Sequence, residues 1–117
     1  MEILWRASDD LSELTRESLT DAGAEVEPRQ GFEPITAILL IASVSVLAKA
    51  FSRLVRDSRF KGVMIDATKN PVEVREMPGW DRSQVLLITD TGGTFHTFSS
   101  EDGSADLLAT VGASSSP

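Results

Sequence analysis

The stretch Thr89-Asp90-Thr91-Gly92-Gly93-Thr94-Phe95 holds the residues best suited to chemistry. Two adjacent glycines after a strand let backbone N–H groups come close to a phosphate, with the carboxylate of Asp90 beside them. The triplet Asp90-Thr91-Gly92 offers a second chemistry. Two copies brought together by dimerisation would place two carboxylates where they share one proton. The simplest alternative is a turn: a strand, then Asp-Thr-Gly-Gly, then an alternating strand form a hairpin that uses glycine for positive φ.

The spacing Asp-x-Gly-Gly-Thr resembles the first phosphate loop of the sugar-kinase and hydantoinase superfamily, and Asp-Thr-Gly resembles the aspartic protease triplet. The former fold needs a second lobe, whereas only about 23 residues follow Thr94. The latter has an apolar residue before its aspartate, where this chain has Thr89. The stretch is therefore expected to be a hairpin turn. A small hydrolase or phosphate-binding protein using Asp90, Thr91, Gly92 and Gly93 is the catalytic alternative. His96 lies in the second arm of that hairpin with no orienting carboxylate or nucleophile placed by the sequence, so a surface role is expected.

Composition narrows the classes further. The 117 residues are 41% hydrophobic and 25% charged, which suits one folded domain. With no cysteine and a single histidine, disulfides, thiol catalysis and Cys/His metal clusters are excluded. No cofactor is expected. No signal-peptide pattern opens the chain, and a cytoplasmic location is the expectation. The net charge of −7 is unevenly spread: residues 1–33 carry −6, residues 34–61 carry +4, and residues 62–117 carry −5. An acidic protein repels nucleic acid. Among the basic residues Lys49, Arg53, Arg56, Arg59 and Lys61, the helix period puts Lys49, Arg53 and Arg56 on the face opposite Phe51, so no aromatic platform accompanies that stripe and no nucleic-acid partner is expected.

The elements that would position these residues follow from the hydrophobic pattern. Residues 2–7 read as a strand. Ser8-Asp9-Asp10 offers a helix cap, Leu11, Leu14, Leu19 and Ala22 mark an apolar stripe, and Gly23 closes the helix. Residues 24–29 form a second strand, placed at an edge by Pro28. A long second helix is expected to begin at Pro34, run through the apolar stretch 35–51 and end near Phe60. Period-two segments follow at 62–67, 72–76, 84–89 and 94–99. The expectation is an α+β two-layer sandwich, a mixed sheet with two helices on one face, in the order β-α-β-α-β-β-β-β. Residues 1–110 form the single domain and 111–117 a disordered tail.

The apolar run 35–51 is short of the about 20 residues that span a bilayer, and Thr36, Ser43 and Ser45 dilute it. A membrane-associated component that inserts this helix is the alternative reading. The favoured one is a helix apolar on every side that needs cover from a second copy or a larger protein partner. The docking residues on it are Ile38, Ile41, Val44, Leu47, Lys49, Phe51, Arg53 and Arg56. No small-molecule substrate is expected.

The opening strand with Ser8-Asp9-Asp10-Leu11-Ser12-Glu13-Leu14, the segment VLAKAFSRLVRDSR (Val46–Arg59) and the strand GVMIDATKNPVEVR after it carry a resemblance. Together they resemble the small effector-associated constant component proteins of actinobacterial conflict systems. The resemblance implies a non-enzymatic accessory subunit, an adaptor in a bacterial antiviral defence or signalling assembly. It supplies no catalytic residues.

Overall fold

The structure is a computed structural model that describes residues 1–8, 11–27 and 37–97. It has the α+β class, the mixed sheet and the two helices implied by the sequence. The elements are β1 (Glu2–Arg6), α1 (Ser12–Ala22), β2 (Glu25–Glu27), β3 (Ala37–Ile41), α2 (Val44–Leu54), β4 (Gly62–Asp66), β5 (Val72–Met77), β6 (Gln84–Thr89) and β7 (Gly92–Thr97). Seven strands form one sheet in the order β2-β3-β1-β5-β4-β6-β7. β1 runs parallel to β5 and β4 parallel to β6, and the other neighbours are antiparallel.

One correction concerns the long second helix. Residues 37–41, expected as its first half, form strand β3, held between β1 and β2. A short apolar run is compatible with a buried strand or a buried helix, and periodicity alone does not separate them. Ser43 settles the boundary: its backbone is extended, and its Oγ accepts the Val46 N–H at 3.3 Å, so the helix starts only at Val44. Residues 35–51 are therefore not one inserting helix. Among the described residues, no helix is long and apolar enough to cross a membrane. The Asp9-Asp10 cap, Pro28, Pro34, strand residues 98–99 and the tail 111–117 lie outside the described residues.

Strand register decides which side chains form the core. Across the sheet, Ile38, Trp5, Val74, Ile65 and Leu87 fall in one row, and Leu40, Ile3 and Val72 in the next. All eight are buried, because both helices lie over this face. Leu11 just before α1 and Leu19 within it join the core, and α2 contributes Leu47, Ala50, Phe51 and Leu54. The Phe51 ring sits 4.9 Å from Trp5 and 6.4 Å from Phe60, centroid to centroid, which puts the aromatic centre of the core between α2 and β1. α1 stops at Gly23, whose φ of 108° suits glycine, and the Ala24 N–H reaches back to the Leu19 carbonyl at 2.9 Å.

The turn question has a direct answer. Asp90 and Thr91 join β6 to β7, Thr89 faces Gly92 across the ladder, and Gly92 takes φ 121°. The Asp-Thr-Gly-Gly stretch is the tip of a β-hairpin.

Gly62 is set by close packing rather than by backbone angle. A Cβ there would lie 2.9 Å from both the Gln84 carbonyl oxygen and the Trp80 Cβ. Gly62→Ala is expected to destabilise the fold by about 1–3 kcal/mol, as overpacking of a tight site does. Chemical denaturation reads this directly, and an unchanged midpoint would show that β4 and the Trp80 turn separate freely.

Candidate functional site

The docking residues expected from the sequence divide into two groups. Ile38, Leu47 and Phe51 are buried in the core, so they contact no partner while the protein stays folded. That is the second correction: Ile38 of β3 and Leu47 and Phe51 of α2 are covered by the packing of the helices on the sheet, not by an outside partner. Val44 is half-buried at the start of α2. Lys49 and Arg53 lie on the exposed side of α2, with Arg56 just beyond its end. Arg53 is engaged by Asp21 of α1 at 2.6 Å, an exposed ion pair of the kind that contributes little and exchanges readily. Ile41 remains outward, but from a strand: it is 50% exposed on the sheet face opposite the helices.

That opposite face is the most unusual surface of the molecule. Side chains alternate along strands, so the residues between the core positions all project there. Leu4, Leu39 and Ile41 gather at the β1–β3 end. Met64, Leu86, Ile88 and Phe95 gather at the β4–β6–β7 end, where Phe95 is 60% exposed and leans on Trp80 at 6.0 Å. Between the two apolar patches, Glu73 accepts hydrogen bonds from Arg6 at 3.1 Å and from Arg75 at 3.2 Å. Neither helix covers any of these residues.

A groove of about 450 Å³ opens at the β1–β3–β2 end, lined by Glu2, Glu25, Val26, Leu39, Leu40 and Ile41. Register places Glu2, Ile41 and Glu25 in one row across the three strands, with the aliphatic residue between the two carboxylates. Both glutamates are exposed, and neither is in a salt bridge among the described residues.

The buried polar centre lies under the helices. Glu76, 6% exposed, accepts from Trp5 Nε1 at 2.7 Å and Thr15 Oγ1 at 2.6 Å on one oxygen. Its other oxygen accepts from the Ser8 N–H at 3.0 Å and Ser8 Oγ at 3.3 Å. Four donors occupy the roughly four lone-pair sites of a carboxylate, which leaves Glu76 no free position with which to bind or act on a ligand. The sequence reading missed this residue, although a signal was there: Glu76 has the inward parity of Val72 and Val74.

Asp90 is exposed at the hairpin tip, where the Thr89 and Thr91 hydroxyls bond each other at 2.9 Å. His96 is exposed opposite Val85. Among the described residues, no group of three His, Cys, Asp or Glu side chains could hold a metal ion.

Past α2 the chain turns through a cationic corner. Arg82 donates to the Val55 carbonyl at 3.0 Å and the Arg56 carbonyl at 3.4 Å, placing a positive charge at the negative end of the helix. Asp57 Oδ1 accepts from Arg59 Nε at 3.0 Å and from its N–H at 2.9 Å, and Oδ2 accepts from Nη2 at 2.9 Å. The Arg59 side-chain hydrogen bonds, then its backbone N–H, draw the Asp57 carboxyl down from its ordinary 3.8 to about 2. The turn is thus fully stabilised above pH 3.8 and loosens as pH falls through 2. An NMR titration of the Asp57 carboxyl is expected to show its midpoint near 2, and a midpoint at 3.8 would mean that the Arg59 contacts do not persist in solution.

Comparison with protein-family models, with curated proteins and with solved structures finds no match, so function is read from these surfaces themselves.

Proposed function

We propose that this chain is a non-catalytic interaction subunit, an adaptor that meets a larger protein or a second copy of itself through the open face of its sheet. The observation that carries this reading is the two-sidedness of the sheet. One face is covered by α1 and α2 as far as β6, while the other leaves two apolar patches outward, ending in Ile41 and Phe95. Contiguous apolar surface of this kind marks protein contact sites. The resemblance to effector-associated constant component proteins adds the setting, an accessory role in a bacterial defence or signalling assembly in the cytoplasm. The exposed cations Lys49, Arg53 and Arg56 lie on the helix side, away from that face. They form a second surface that steers an acidic partner, as charges at a contact rim do. The hairpin tip at Asp90–Gly93 serves in this reading only to close β6 onto β7.

The test is the assembly state of wild type and Phe95→Lys. Wild type is expected to exceed the mass of one chain in light scattering, alone or with its co-expressed partner, and Phe95→Lys to return it to a single chain. Phe95 is 60% exposed, so the substitution leaves the core untouched. A wild type that stays monomeric at high concentration and co-purifies with nothing would overturn the proposal.

A further inference from the structure

We infer that the groove at the β1–β3–β2 end of the open face takes an extended basic peptide segment of a partner protein, with an aliphatic residue between two lysines or arginines. This rests on the reading of the open face as a contact surface and specifies the chemistry of one end of it.

The groove has an apolar floor and an acidic rim. Ile41 and Leu39 supply the floor, and Ile41, at 50%, is with Phe95 one of two large apolar side chains left exposed among the described residues. Glu2 and Glu25 supply the rim, one on each side of Ile41. Adjacent strands lie about 4.8 Å apart, so the backbones that carry the two carboxylates are separated by about 10 Å. The Ile41 side chain stands between the two carboxylates, and among the described residues no third His, Cys, Asp or Glu joins them to hold a metal ion. The row suits two separate cations, one on each side of an apolar residue.

In an extended peptide, side chains on one face recur every second residue, about 6.8 Å apart. A segment of the form Lys-x-Leu-x-Lys therefore presents two ammonium groups about 14 Å apart along the backbone, with the leucine midway between them. Flexible lysine stems close the remaining distance to Glu2 and Glu25 and lay the leucine on Ile41. The negative charge of the chain, −7 overall and −6 within residues 1–33, favours the encounter. The same charge opposes a nucleic-acid occupant.

The test uses three synthetic probes against the full chain: acetylated Lys-Ser-Leu-Ser-Lys, its Lys-Ser-Ser-Ser-Lys analogue and Glu-Ser-Leu-Ser-Glu. NMR amide shifts on adding the first are expected to centre on Glu2, Leu39 and Ile41, with Glu25 across the groove. Affinity is expected to fall about two- to fivefold for each of Glu2→Gln and Glu25→Gln, the range for exposed ion pairs, and to fall with added salt. Glu13→Gln, on the exposed side of α1, is expected to change nothing. The Ser-centred and Glu-flanked probes are expected to bind more weakly than the first.

Equal binding of the Ser-centred probe would reduce the attraction to bare charge and overturn the inference. So would an undiminished affinity in the Glu2→Gln/Glu25→Gln double variant, shifts centred elsewhere, or no binding at all. Groove shifts that grow with protein concentration in the absence of peptide would name a second copy as the occupant and overturn it as well. A failed peptide test alongside a disrupted assembly in Phe95→Lys would remove this inference alone, not the role of the open face.

Discussion

The carboxyl group of Glu76 is the contact on which the layering of this protein depends. A buried carboxyl group is costly unless its oxygens are satisfied. Here Trp5 of β1, Ser8 at the entrance to α1 and Thr15 within α1 all donate to it from different parts of the chain. Those bonds join β5 to β1 and draw α1 over one face of the sheet. With the indole held at one edge by Glu76, its ring is positioned for Phe51, and α2 packs beside α1. Apolar burial supplies most of the driving force, but it is non-directional. The directed bonds to Glu76 select which face the helices cover.

The openness of the other face follows from that selection. Two helices of 11 residues each cover one side of the sheet except at β7, which is exposed on both faces, and no other described element lies over the second side. The residues left there are not the polar set that a solvated sheet face usually carries. Aliphatic and aromatic side chains gather at both ends, and an Arg6–Glu73–Arg75 cluster occupies the middle. Such a face suits a partner that presents apolar contacts at two points and tolerates a fixed polar bridge between them. On the helix side the exposed cations Lys49 and Arg56 stand with the exposed acids Glu13, Glu17 and Asp21 of α1, so that side is mixed in charge.

Much of this architecture was legible in the chain. The strand at residues 2–6, the helix that ends at Gly23, and the four later strands with their Asp-Thr-Gly-Gly hairpin all carried local signals. Those signals were period-two alternation and turn residues that act over a few positions. What escaped was of two kinds. Residues 37–41 had helix-compatible apolar content and strand-compatible length, and only pairing with β1 on one side and β2 on the other decided between them. That pairing is long-range, so no local window reveals it. Docking residues placed on one continuous helix were consequently split, with Ile38, Leu47 and Phe51 going to the core and Ile41 to the open sheet face. Glu76 was hidden for a different reason. Its inward parity marked it as unusual, but its four donors come from positions 61 to 71 residues away in sequence.

The most direct measurement is equilibrium denaturation of Glu76→Ala against wild type, with near-UV circular dichroism of Trp5 and Trp80 followed in parallel. Removing the carboxyl group orphans an indole N–H, a backbone N–H and two hydroxyls at once. The loss is expected to reach about 3 kcal/mol or more, with the tryptophan signal changed even where the fold survives. A variant within about 0.5 kcal/mol of wild type, the range of an ordinary surface change, with an unaltered spectrum would contradict the claim that this one carboxyl group sets the helix layer on its face.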